Sequence, residues 1–415
     1  MLRFASSPTR DLTINDLHIA LVNYIVAKQR GEDLIIRIED GDTQKNIEKK
    51  DQEIVDLLGL FGIEYTQVVY QSQNARFHSA MALQLIHDKK AFSCFCSDEW
   101  LEKKKKEAED ANKEYLYDDA CRDLPPELVI DNTNPFSIRI MRPTSPISMN
   151  DLLMGEMRFS QDNIDSFEIM HRDKRATQLF ATAVDDMLSD ISLVIRSKDF
   201  VEASPKEIYV REMLHYNKQI EYAHIADIHS SETIALKPLL EEGFLPQSIV
   251  EYLLGRSLQD AVESFKLENI TQKKFTKEEL GECNRNYMLQ LDAKELSRYV
   301  GFADDNIGEL AKVYLQNKEI TTTKLLKEKI APIFAPKEVA DKNLQESVQR
   351  IRTIIKDAPY FEEYEAFKNY IKKESSLESE LLEKSLRLLL TGADDDIVLE
   401  DIYKHIKNYL GEIIK

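Results

Sequence analysis

Two groups of residues have the types and spacing to do chemistry. The first is Cys94, Cys96 and Cys121 with Asp123, written "CFC" and, further on, "CRD". Three thiolates and a carboxylate can surround a zinc ion tetrahedrally, although a carboxylate is an uncommon ligand in a structural site. Four cysteines in 415 residues, with Cys283 standing apart, do not form a disulfide framework, so the alternative is free buried thiols. The second group lies in "RFASSPTRDLTINDLHIALVNYIVAKQRGEDLIIRIEDGD", Arg3 to Asp42. A strand leading through a loop into a helix N-terminus makes an anion site, because free N–H groups and the helix dipole point at the ligand. Here the loop "TRDLTINDL" places Thr13, Asn15 and Asp16 at the helix start. An Asp in that position caps well, and it also sets a carboxylate where a phosphate would sit. His18 lies on the next turn and reads as a partly exposed histidine.

The elements that must position these residues follow from periodicity. "DLIIRIED" is a short apolar run bounded by charge, as in a buried parallel strand. Before it, Leu17, Leu21, Tyr24 and Ile25 share one face of a helix, with Asn15 or Asp16 as cap and Gly31 closing the C-terminus. From about Tyr70 to Phe136 the chain is charged and irregular, the pattern of an insertion. The runs "FSIRIM" and "DISLVIRS" are expected to resume the sheet. From Gly243 onward the pattern is helical, including "IGELAKVYLQ", "LQESVQRIRTIIKDA" and "LEDIYKHIKNYLGEIIK".

The net charge of −19 excludes a general nucleic-acid binder working through an overall positive field, but leaves room for a local basic path. Lys103 to Lys106 form the only tight cationic run and read as a solvated helix face. No apolar run approaches the roughly 20 residues of a membrane span. A cytoplasmic protein with no membrane partner is expected.

Five segments, in order, resemble the glutamyl-tRNA synthetases of class I. They are "RFASSPT", "RIEDGD", "SFEIMHRDKRATQLFATAVDDMLSDISLVIRSKDF", "EEGFLPQSIVEYLLG" and "SLRLLLTG". The resemblance implies an α/β plus all-α fold: a Rossmann-type core split by an acceptor-binding insertion, then helical stem-contact and anticodon-binding domains. The implied boundaries are 1–85 and 166–235 for the core, 86–165 for the insertion, 236–310 for the stem-contact domain and 311–415 for the anticodon-binding domain.

In the family, ATP and Mg activate glutamate, which is then joined to tRNA(Glu). By resemblance Arg3, Ala5, Ser7, Glu39 and Arg196 hold the amino acid. Arg196 would pair with its side-chain carboxylate and Glu39 with its ammonium. The same arginines and Glu39 can equally form an internal salt-bridged frame. Gln178, Thr182 and Phe200 stand where the family has Tyr, Asn and His or Trp.

The family's two ATP motifs are altered. Thr13, Asn15 and Asp16 replace most of the His-Ile-Gly-His-like turn, and the Lys-Leu-Ser-Lys-Arg-like loop is shortened to "HSSETIALKPLL", with Lys237 as its single lysine. Some members bind zinc through a C-x-C pair, a later Cys and a nearby His or Tyr, from which Asp123 departs. The leading expectation is a catalytically impaired paralogue that binds tRNA, glutamate or a protein partner, such as an active synthetase or an amidotransferase. The others are an active ligase with a rebuilt ATP site, a glutamyl transferase to a modified tRNA base, and a purely structural subunit.

Overall fold

The computed structural model describes residues 1–337, 341–393 and 397–414. The chain divides into two compact units, Met1–Leu236 with Leu258–Phe275, and Lys237–Ser257 with Thr276–Lys415.

The first unit is built on strands β1 (Leu2–Ser6), β2 (Leu34–Ile38), β3 (Gln67–Tyr70), β4 (Ala91–Cys94), β5 (Ser137–Ile140), β6 (Ile147–Asp151), β7 (Gly155–Phe159), β8 (Glu168–Met170), β9 (Leu193–Ser197) and β10 (Glu221–Ile225). Seven of them form one sheet in the order β3-β2-β1-β9-β10-β6-β7. The pairs from β3 through β10 are parallel, as is β10 with β6, and only β7 runs antiparallel. Parallel strands must be buried on both faces, and β2 and β9 are buried at every position. This is the doubly wound, Rossmann-like core the resemblance implies.

The helix Ile14–Arg30 carries the chain from β1 to β2. It ends on Gly31 in the left-handed conformation, φ 64°, as its sequence predicts. Its start differs from expectation. Thr13, not Asn15 or Asp16, is the cap residue, with Asp16 three positions later completing a reciprocal capping box.

A second difference concerns "FSIRIM". β5 does not resume the main sheet but pairs antiparallel with β4 and β8 in a separate three-stranded sheet. All four of its residues are buried, so its alternation carried no information about which sheet would cover it. The helix Leu258–Ser264 returns to this unit after the chain has left it. Gln29 of the first helix donates to the carbonyls of Val262 (3.2 Å) and Phe265 (2.9 Å).

The second unit is helical among its described residues. Helices Asp305–Tyr314, Lys342–Lys356 and Leu399–Ile406 arise from the three segments predicted from periodicity. Their apolar faces, with Phe367, Leu386 and Tyr403, form one core. Buried Asn284 ties its elements together: its Oδ1 accepts from Leu245 N (2.8 Å) and Ser248 Oγ (2.6 Å), and its Nδ2 donates to Thr321 O (2.7 Å). No helix among the described residues is long and apolar enough to cross a membrane.

Candidate functional site

The ends of β1, β2 and β9 and the starts of the helices Gln178–Leu188 and Ser204–Met213 enclose a cavity of about 530 Å³. Arg3, Ala5, Ser7, Glu39, Gln178, Thr182 and Arg196 all line it, as do Arg10, Asp16 and Phe200. Strand register explains part of this convergence: Ala5 lies opposite Arg37, and Arg3 is two residues before Ala5 on the same face.

Behind the cavity Asp186 accepts from Arg3 Nε (3.2 Å) and Arg37 Nη1 (2.5 Å). Burial pushes its carboxyl up, but Arg3 and Arg37 outweigh that and hold it well below the usual carboxylate range. Arg37 Nη2 reaches on to Glu39 Oε1 at 3.2 Å, and Thr182 Oγ1 lies 3.5 Å from the same oxygen. Gln178 Nε2 is 3.4 Å from Thr182 Oγ1, one helical turn away. Ser7 Oγ turns to Thr9 Oγ1 at 3.3 Å.

Arg196 points both arms of its fork at Glu207, and its Nε donates to His224 Nε2 at 3.4 Å. Its Nη1 and Nη2 donate to the two carboxylate oxygens of Glu207 at 2.8 and 3.0 Å, and Nη2 also donates to Ser204 Oγ at 2.7 Å. The chain of partners continues inward. Ser204 Oγ is 2.9 Å from His224 Nε2, and His224 Nδ1 is 2.7 Å from Asp151 Oδ2. Asp151 also accepts the backbone N–H groups of His224, Leu153 and Met154, each at 2.9 Å. Burial raises its carboxyl, and these bonds bring it below its ordinary value. Asp151 is therefore the acceptor for His224 Nδ1, and Nε2 faces Ser204 Oγ and accepts from Arg196 Nε. Glu207, Ser204, His224 and Asp151 were missed in the sequence, because no spacing links residues on a helix and on two strands, β10 and β6, that become neighbours only in the folded sheet.

At the start of the first helix two of the N–H donors that could face an anion are already occupied. Ile14 N donates to Ile234 O (2.9 Å), and Asp16 N donates to Thr13 Oγ1 (3.3 Å). The Asp16 carboxylate accepts from Thr13 N (2.8 Å), Thr13 Oγ1 (2.7 Å) and both Nη atoms of Arg10 (2.6 and 2.9 Å). Leu236 N donates to Leu12 O (2.9 Å), so the shortened segment after β10 is stitched to this loop as a bridge. The Asn15 amide is spent on Ile228, accepting its N–H (2.7 Å) and donating to its carbonyl (3.3 Å). Thr13 and Asn15 do not line the cavity; Asp16 does. Nearby, burial raises the Asp227 carboxyl, and Asp199 and Asp16 add to the rise. Asp16 brings a carboxylate to this end of the cavity, with Arg10 as its counter-charge. Each carboxylate about 4 Å from a phosphate charge costs roughly 4 kcal/mol at an effective dielectric near 20. His18 is buried rather than partly exposed, and burial, with Lys273, pushes it down to about 4.

The cysteine group assembles, with one change of membership. The Sγ atoms of Cys94, Cys96 and Cys121 all lie within 4.8 Å of one another, and Cys96 is 3.5 Å from Cys121. Asp123 is not brought in: its side chain is 78% exposed and paired with Arg122 Nη2 at 2.8 Å. Tyr117 takes that place, its hydroxyl 3.4 Å from both Cys94 and Cys96. Ligands about 2.3 Å from a tetrahedral zinc ion stand about 3.8 Å apart, so the four donors fit such an ion. Tyr117 is fully buried, with the Arg139 guanidinium 4.0 Å from its ring centroid. Nothing in "EYLYDDACRD" distinguishes it from Tyr115.

The family model described as tRNA synthetases class I (E and Q), catalytic domain, matches residues 1–286. Over its whole length the chain is 53% identical to glutamate–tRNA ligase 2 of Sulfurimonas denitrificans and 39% identical to glutamate–tRNA ligase 1 of Nitratiruptor sp., covering all of each. Among solved structures it is similar to the glutamate-tRNA synthetase of Elizabethkingia anophelis, with a TM-score of 0.78 at 21% identity. All of this chain and 98% of that one are covered. A glutamate tRNA ligase of Elizabethkingia meningosepticum in complex with its amino acid matches at a TM-score of 0.79 and 20% identity, with the same coverage.

Proposed function

The chain belongs to the glutamyl-tRNA synthetase family of class I synthetases, and from that premise we propose that it is a paralogue whose ability to activate glutamate with ATP is impaired. One observation carries this reading: the helix start that would receive the triphosphate is closed by Thr13, Asp16 and Arg10 and bridged by Ile234. The shortened segment His229–Leu240 supports it, since a single lysine replaces a loop of several cationic groups. Losing one such electrostatic contributor costs on the order of 10²- to 10³-fold in rate, and here both motifs are altered.

In this reading tRNA is the retained ligand and tRNA(Glu) the first to test. Residues 86–165, apart from β6 and β7 of the core sheet, serve as the acceptor-binding insertion, 236–310, apart from the returning Leu258–Phe275, as the stem-contact domain and 311–415 as the anticodon-binding domain. Cys94, Cys96, Cys121 and Tyr117 hold a structural zinc ion. An active synthetase or an amidotransferase is the proposed protein partner.

The test is charging of total tRNA with labelled glutamate in the presence of ATP and magnesium, alongside tRNA binding by gel shift. The expected result is retained binding with charging at background. Charging at the rate of an authentic synthetase overturns the proposal. It would favour the second reading, an active glutamate–tRNA ligase with a rebuilt ATP site, which the names of the full-length relatives support.

A further inference from the structure

An arginine that selects a ligand carboxylate must present its planar fork to the cavity with the donors free. Arg196 lines the cavity, but its fork is filled by Glu207 in the two-point geometry a ligand carboxylate would use. Both side chains are enclosed, Arg196 at 9% and Glu207 at 2% exposure. The pair is held from both sides. Glu207 is fixed on the first turn of the helix Ser204–Met213, its N–H donating to Ala203 O, and the guanidinium is anchored through Ser204, His224 and Asp151. A ligand carboxylate could take the fork only by leaving Glu207 buried and ionised without a partner, which is strongly unfavourable.

We propose that Glu207 is a resident stand-in for a ligand's side-chain carboxylate and closes this cavity to glutamate. It acts as the specificity-determining residue of the site, and the inference rests on the cavity being the family's amino-acid pocket. The ammonium end of the pocket is unaffected: Glu39 lines the cavity with its side chain 17% exposed. The block is therefore specific to the side chain of the incoming amino acid. An amino acid with a short neutral side chain meets no such penalty.

The experiment is calorimetric titration of the full-length protein with L-glutamate, and with L-glutamine as control, for the wild type and Glu207→Gln. The amide is nearly isosteric, keeps one acceptor for Arg196 and removes the competing charge. Glutamate is expected to bind E207Q on the order of a hundredfold more tightly than the wild type, with little change for glutamine. Wild-type binding of glutamate as tight as that of E207Q overturns the proposal, as does a folded E207Q that binds neither. If E207Q does not fold alone, it is refolded with either amino acid. Recovery with glutamate only supports the stand-in, and equal failure with both overturns it. Glutamate binding by a wild type that does not charge tRNA removes this inference and leaves the proposed function intact. Charging by the wild type removes the proposed function itself.

Discussion

His18 sits in the second turn of the first helix, buried, with burial pressing its imidazole down to about 4 from an ordinary 6.5. A folded-state value below the unfolded one means that the unfolded chain binds the extra proton first. Stability from the neutral imidazole is then complete above about 6.5 and is lost as pH falls toward 4, by about 3 kcal/mol in all. Urea unfolding between pH 7 and 4 should show this slope, and His18→Leu should flatten it whatever its effect at neutral pH. An unchanged slope in H18L would assign the acid sensitivity elsewhere. The same contrast between residue type and residue partner limits what the sequence reveals at this scale. The seven positions that the resemblance assigns to an amino-acid pocket could be named because each occurs in a short motif, and all seven line one cavity. The partner of Arg196 was not legible. Glu207 is eleven residues away on a different element, and only the packing of helix Ser204–Met213 beside β9 brings the two together.

At the scale of elements, the cysteine module illustrates a half-legible site. The end of β4 and the turn after it present Cys94 and Cys96, and the irregular segment after helix Asp98–Asp110 folds back to deliver Tyr117 and Cys121. The thiols were readable from spacing. The fourth donor was not, because the choice among Tyr115, Tyr117 and Asp123 depends on which side chain the fold-back buries. Elemental analysis of protein purified without chelator should find stoichiometric zinc. Cys96→Ser should abolish it, while Asp123→Ala should leave it unchanged. Stripping the metal should lower the melting temperature, since the module's own core of Phe92, Cys94, Tyr117 and Cys121 is small. Zinc lost in D123A would restore the carboxylate as ligand. The misplacement of "FSIRIM" has the same origin: a four-residue strand buried at every position names no partner, and the neighbouring β4 and β8 decided it.

At the scale of the molecule, the first unit is not continuous in sequence: it is complete only when Leu258–Phe275 has come back to it. The returning helix Leu258–Ser264 lies on the first helix, where Ala261 is fully buried. A chain ending at Leu236 should be less soluble and more easily cleaved by protease than one ending at Phe275. Equal resistance of the two would show the returning segment to be dispensable. Its position also sets a schedule. During synthesis the first helix emerges early, but its covering partner is more than two hundred residues behind it. The intervening chain must be translated before that face of the helix is sheltered. Over this interval the nascent protein carries an unfinished nucleotide-fold half with an uncovered helix surface. That makes the passage from residue 30 to residue 275 the period when a chaperone, a slow codon or a premature stop would matter most to its fate.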